Sequence, residues 1–413
     1  MVFPIRTLCL YVFSFLLTGT LLAQRGDGSL FSSYGIGLIN NDNVGYSTRL
    51  GGTGVAVQSP YFLNHINPAS SVGILGAYNF MIDADVKYQM MNISTSEESI
   101  DLNRTNLSHV AFWLKVSKKS AFTFGLMPIS SVDNSFLETT YFVGSADPYS
   151  KYTKNYGDIS KVFLNYAYAL HPRLSLGVRP YYLFGHVNNT NLYEVQSDVN
   201  GSVDSFQLNL KNNYSGVGVD LGMQYIAYKK KDKKIILGLT YNAPANISEQ
   251  LSEEVQLLDS DSLLFESSGE MEQMDFFQSA KAGISYQNKN WIIAADYVYK
   301  YFPDSWEDYT AAQQVSLGVE YVPDFYGYSF PKQLNYSAGL FYDTGNYLFQ
   351  NTPVSRYGFT AGIGFPIQNL TRLTLSYQYE KQGSTSLLAK EITHGITVNF
   401  NLADIWFQKK GYK

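Results

Sequence analysis

The stretch from Arg356 to Leu402 limits what this chain can fold into more than any other. Leu373, Leu375, Tyr377 and Tyr379 are apolar or aromatic, whereas Arg372, Thr374, Ser376, Gln378 and Glu380 between them are polar. Side chains alternate faces along a strand, so this segment has one greasy face and one wet face. Its neighbours repeat the pattern. Tyr357, Phe359, Ala361, Ile363 and Phe365 oppose Arg356, Gly358, Thr360, Gly362 and Gly364. Ile392, Ile396, Val398, Phe400 and Leu402 oppose Thr393, Gly395, Thr397, Asn399 and Asn401. A tilted strand crosses a bilayer in about 10 residues, which is the length of these runs.

Composition supports a membrane setting. Charged residues are 16% of the 413, and aromatics reach 15%, with 34 Tyr and 26 Phe. Few charges and many tyrosines suit the aromatic girdles of a transmembrane barrel. A net charge of −5 gives no reason to invoke nucleic acid. The sole cysteine, Cys9, lies in the middle of an apolar run, so it does not read as a lipid-attachment site. Residues 1–23 read as a secretory signal: Arg6 is the charged start, Leu8 to Leu22 the apolar core and Ala23 the small residue before the cut. Leu21 is large for the position it would hold, so the cut can shift by a residue or two. A single anchoring helix is the alternative, but the run is short for a span. Export plus alternating strands points to the outer membrane of a Gram-negative cell. A processed chain has no thiol and no disulfide.

Residues 24–76 form a Gly-, Ser- and Asn-rich segment without strand period. It contains Tyr34-Gly35-Ile36-Gly37, Gly51-Gly52-Thr53-Gly54 and Asn67-Pro68-Ala69. Glycine at this density allows tight packing and positive φ. The rest parses into strands at 77–90, 105–117, 121–131, 160–170, 174–185, 212–228, 235–244, 276–286, 291–301, 312–322, 334–343, 356–365, 372–381 and 391–402. The expected fold is therefore all-β: a transmembrane antiparallel β-barrel of fourteen strands over 77–402, with a short tail at 403–413. An even number fits a bacterial single-chain barrel. Connections alternate between short turns and long loops, the longest being 132–159, 186–211 and 245–275. Short turns face the periplasm in such barrels. Both termini are then expected in the periplasm, with the N-terminal segment entering the lumen from that side. Tyr168, Tyr228, Tyr286 and Trp291 would form one aromatic belt, and Tyr241, Tyr299, Tyr301 and Tyr342 the other. A secreted propeller or sandwich is the rival fold; its outward face would be polar.

The glycine run followed by Asn67-Pro68-Ala69, just before the first strand, resembles the FadL-type outer-membrane transport proteins. That resemblance implies a fourteen-stranded barrel, an N-terminal hatch in its lumen, and passage of fatty acids or other hydrophobic compounds. Ser33-Tyr34-Gly35-Ile36-Gly37 and the lysine-ending tail after Trp406-Phe407 are similar to a Bacteroidota branch of the family, which includes PorV-like export partners.

On this reading Gly51, Gly52, Gly54, Asn67, Pro68 and Ala69 belong to the hatch, as a gate on a ligand path or as a plain turn. In the family a kinked strand opens a lateral exit, which makes Pro128 the candidate here. Proline removes a ladder donor and favours bulges. A harmless rim proline fits Pro128 equally. Arg179, Arg356 and Arg372 fall on the polar face, where each can hold a ligand carboxylate or pair with Asp220, Glu320 or Glu380. Glu253, Glu254, Asp259 and Asp261 lie in an acidic loop that suits docking, ligand capture or weak calcium binding, though it lacks an EF-hand spacing. It also suits plain solvation. The basic turn Lys229 to Lys234 can meet anionic headgroups or water. His65, His109, His171, His186 and His394 are scattered without metal-ligand spacing. No nucleophile elbow or phosphate loop is present, and no cofactor or catalysis is expected.

Two roles follow as expectations. One is passive transport of a small hydrophobic ligand. The other is a non-transporting barrel that partners an outer-membrane export or assembly machine. Outer-membrane lipids are expected neighbours in both.

Overall fold

The computed structural model describes residues 28–33, 35–39, 43–74, 79–141, 148–196, 203–258, 260, 262–324, 329–368, 371–387 and 389–404. Fourteen antiparallel strands form the wall. They are β1 (Phe80–Ser94), β2 (Ser99–Lys115), β3 (Ser120–Tyr141), β4 (Pro148–His171), β5 (Leu174–Gln196), β6 (Val203–Lys230) and β7 (Lys233–Asn242). The other half is β8 (Gln278–Gln287), β9 (Trp291–Tyr301), β10 (Ala312–Tyr321), β11 (Asn335–Asp343), β12 (Arg356–Gln368), β13 (Thr371–Gly383) and β14 (Lys390–Asp404). Each strand pairs with the next. β14 returns to β1 from Phe80 opposite Asp404 to Ser94 opposite Lys390, so the sheet closes. Closure satisfies backbone groups that an open edge would leave bare in lipid.

The wall is apolar outside and polar inside. On β10, Gln314, Ser316 and Glu320 are buried, while Val315 and Leu317 are 50% and 51% exposed. A water-soluble sandwich would bury the opposite set, so the rival fold is excluded. Trp291, Tyr168 and Tyr228 near the turns, and Tyr241, Tyr299 and Tyr342 near the loops, are exposed large side chains on the outer face.

One part of the wall is taller than the membrane requires. β3, β4, β5 and β6 have 22, 24, 23 and 28 residues, whereas β8 to β11 have 10, 11, 10 and 9. Much of the stretches expected as loops 132–159, 186–211 and 245–275 is strand instead. Beyond β6 the tall sheet continues through Asn246–Leu257, which pairs with both Ser262–Ser268 and Glu272–Asp275. Its inner face carries a polar ladder. Asn155 donates to Asn134 at 2.9 Å, Asn189 to Asn155 at 2.5 Å, and Thr153 to Asn191 at 2.8 Å. Above the bilayer the outer face need not be apolar while the buried inner face carries this polar ladder, so apolar alternation is lost and the sequence resembles loop. Glu253 and Glu254 stand on Asn246–Leu257. Asp259 and Asp261 lie outside the described residues.

The N-terminal segment runs down the lumen from the loop end to the turn end. Near its start, Ser29 donates to Glu391 at 2.6 Å and Leu30 N–H to the same carboxylate at 2.8 Å. At its foot Trp113 donates to the Ser71 carbonyl at 2.9 Å. Among the described residues the segment starts at the loop end, where Ser29 binds β14, while Asp404 closes β14 at the turn end; the point at which the chain enters the lumen lies outside the described residues. The chain termini themselves lie outside the described residues.

Candidate functional site

The lumen is built where this segment meets the wall. Three short 3-10 turns, Leu30–Ser33, Gly45–Leu50 and Pro68–Gly73, carry it. Such turns leave backbone groups unpaired along their length, and the wall supplies partners. Gly54 and Val55 N–H both donate to Asp296 of β9, at 2.6 and 2.8 Å. Ser285 of β8 donates to the Ala56 carbonyl at 2.6 Å, and Gln224 of β6 to the Val55 carbonyl at 3.0 Å. Gly51 ends the second turn in the left-handed region at φ 66°, and its N–H donates to Thr360 of β12 at 2.9 Å. Gly52 follows at φ 80°. Opposite this turn, a Cβ on Gly339 of β11 would stand 2.2 Å from the Gly51 nitrogen. Only bare backbone fits there.

Asn67 caps the third turn, accepting from Ala69 N–H at 2.9 Å. Its amide donates to the Val55 carbonyl at 2.7 Å and to the Met223 carbonyl of β6 at 3.1 Å. The Pro68 carbonyl accepts from Asn165 of β4 at 3.1 Å. Asn67, Pro68 and Ala69 are thus a buried anchor between the segment and the wall.

The three lumen arginines are held by protein groups. Arg179 binds Asp220 through its Nε at 2.6 Å and also donates to the His65 carbonyl at 2.6 Å. Arg356 reaches Asp343 at 3.1 Å and Glu380 at 3.7 Å. Arg372 donates to Asn335 at 2.5 Å and to the Gln333 carbonyl at 3.0 Å. Glu320 pairs instead with Arg49 of the segment, at 3.3 Å.

On the opposite side of the lumen the contact loosens. A cavity of about 660 Å³ runs beside the segment, lined by Lys87, Arg104 and His109 on β1 and β2 and, across the lumen, by Asp296, Gln314 and Arg356 on β9, β10 and β12. It continues to Leu107, Val110, Leu126 and Pro128 in the wall. There β2 and β3 pair only from Val110 opposite Leu126 to Lys115 opposite Ala121. Above that point β2 continues beside β1 and β3 beside β4, so the wall is interrupted between them. Pro128 stands at a register shift between β3 and β4, and a second shift, at Asp85 and Val86, skips Ser108. Just beyond Pro128, Leu38 and Ile39 add to β3 opposite Ser131 and Ser130. The interruption is therefore bounded by wall pairing on one side and by the segment on the other.

The loop end is closed over the segment by aromatic side chains. Phe277, Phe302, Tyr309 and Tyr347 follow one another at ring separations of 5.3, 5.0 and 5.2 Å. The Tyr309 hydroxyl accepts from Ile36 N–H at 3.1 Å and donates to the Gly37 carbonyl at 3.2 Å. Burial, with Tyr347 beside it, pushes the Tyr309 hydroxyl well above its ordinary pKa.

Two histidines that look scattered in sequence meet in the lumen. His65 Nε2 and His109 Nε2 each lie 2.9 Å from Asp83 Oδ2, and all three residues are buried. His109 Nδ1 contacts Asp85. Spacing of 44 residues hides this pair from a local motif; only the closure of segment onto β1 and β2 joins them.

Comparison with known proteins settles the family. The sequence profile of the family described as BamG matches residues 5–413. The chain belongs to the BamG family. No curated protein matches it. Among solved structures it is similar to the CymD monoaromatic hydrocarbon channel, with 13% identity, TM-score 0.61, and coverage of 90% of this chain and 99% of that one. It is similar to the P. putida toluene transporter TodX, at 15% identity, TM-score 0.59, and coverage of 90% and 100%. A Pseudomonas aeruginosa FadL homologue gives 13% identity, TM-score 0.58, and coverage of 88% and 97%. At such identity the likeness shows the fold: a FadL-type barrel.

Proposed function

We propose that this chain is a passive outer-membrane channel for small hydrophobic compounds that carry a polar group. The observation that supports this most directly is the single cavity reaching from lumen residues to the interruption between β2 and β3. A ligand leaving there enters the membrane sideways, without crossing the segment's tight contacts on the far side. Leu107, Val110 and Leu126 supply an apolar mouth, while Lys87, Gln89, Arg104 and Gln378 supply polar contacts inside. The solved neighbours named for toluene and monoaromatic hydrocarbons share this fold, which favours the same class. Residues 1–23 act as the cleaved signal, 24–76 as the hatch, and the residues after Asp404, where the last wall strand ends, as a periplasmic tail.

The test is flux of a monoaromatic dye into vesicles that hold the purified barrel. Asn106→Trp places a large ring at the mouth. It should lower flux about tenfold while the protein keeps its heat-modifiable gel shift. Equal flux through parent, variant and protein-free vesicles removes the channel reading.

A second reading, a partner subunit of an outer-membrane machine, is favoured by the tall wall. Leu263, Leu264 and Phe265 on Ser262–Ser268 are 54%, 57% and 50% exposed. Among the described residues that strand pairs with Asn246–Leu257 alone. An apolar edge outside the membrane suits pairing with another chain. Pull-down in mild detergent with parent and Phe265→Ser protein checks it; recovery of the barrel alone from both counts against a partner.

A further inference from the structure

The buried cluster of His65, Asp83 and His109 has the composition and convergence of a metal site. We infer that it binds one divalent transition-metal ion of the zinc class, pinning the lumen segment to β1 and β2. The three candidate ligand atoms lie within 4.8 Å of one another. Two imidazole nitrogens and one carboxylate oxygen are an ordinary zinc donor set, with room for a fourth ligand.

The surroundings orient these atoms. His109 Nδ1 faces Asp85, so the tautomer that donates there leaves a lone pair on Nε2, the atom turned toward His65 and Asp83. A carboxylate behind a ligating histidine is the usual second support in such sites. Asp85 is itself fixed by Gly45 N–H at 3.0 Å. Asp83 Oδ1 accepts from Asn399 of β14 at 2.9 Å, leaving Oδ2 for the ion. Arg179 holds the His65 carbonyl at 2.6 Å and so fixes that backbone. His109 also lines the cavity, which provides an entry path.

This placement ties His65, from the segment, to the two strands that border one side of the wall interruption. The inference concerns ion binding and does not depend on the channel reading.

The experiment uses the full chain purified in detergent, stripped with a chelator, and dialysed against Zn²⁺ or Co²⁺. One ion per chain is expected, with the visible absorption of low-coordinate Co²⁺, and Zn²⁺ should raise the thermal midpoint. His65→Gln keeps a hydrogen-bond donor near Asp83 but removes the imidazole, so it should weaken binding about 100-fold and abolish the Zn²⁺-dependent midpoint shift. Asp85→Asn should weaken binding about 10- to 100-fold, as loss of such support typically does. This second variant decides the matter if His65→Gln does not fold. Absence of stoichiometric binding, or binding that neither substitution alters, overturns the assignment and leaves a hydrogen-bonded pin.

Discussion

The two sides of the lumen segment differ. Toward β8–β12 it is pressed onto bare backbone and buried carboxylates: Gly51 against Gly339, and Gly54 and Val55 on Asp296. Toward β2–β4 it faces a cavity and a wall whose pairing stops at Val110 and Leu126. Contacts with β2–β4 also hold the segment, through Trp113, Asn165 and the pairing of Leu38 and Ile39, but there the wall itself is open above Val110 and Leu126. The difference between the two sides lies in the wall, which is continuous along β8–β12 and interrupted between β2 and β3.

Substitutions on the tight side should cost the most stability. Gly339→Val drives a branched side chain into the Gly51 backbone, where neither can withdraw without breaking strand pairing. The expected loss is about 3 kcal/mol, the upper range for overpacking, read as a lower thermal midpoint in detergent. Asp296→Ala leaves two buried N–H groups without their acceptor and should cost about 2–3 kcal/mol in the same measurement. If either change proves silent, the tight side is not what anchors the segment.

On the loose side the effects should fall on flux rather than stability. Pro128→Ala restores a backbone donor at the register shift and favours regular pairing there. Stability should change by less than about 1 kcal/mol, and vesicle flux should fall several-fold as the mouth narrows. Unchanged flux would mean that the proline does not shape the opening. The smallest effect is expected far from both sides. Phe265→Ser, on the tall wall, should alter stability by about 0.5 kcal/mol or less, since surface changes away from packed features rarely do more.

Much of the wall was legible in the sequence. Each of the fourteen expected strands overlaps a real one, because a lipid-facing strand must alternate apolar and polar residues. Val315, Leu317 and Ser316 show the rule in its plainest form. The tall wall was not legible. Asn134, Asn155 and Asn189 form a cross-strand ladder on the inner face, and the outer face above the bilayer need not be apolar, so no apolar period marks these strands. The lumen arginines lie on the polar face, where Arg179 reaches Asp220 and Arg356 reaches Asp343 and Glu380. Arg372 binds an amide and a carbonyl instead, a choice that depends on which strands become neighbours.

What the sequence determined by itself is a closed, membrane-embedded cylinder, since alternation and strand length answer directly to the bilayer. What only the tertiary structure decided is the interior. The direction of the lumen segment, the meeting of His65 with His109, and the break between β2 and β3 arise from contacts between residues far apart in the chain. Such contacts obey shape and charge in three dimensions, and no local period records them.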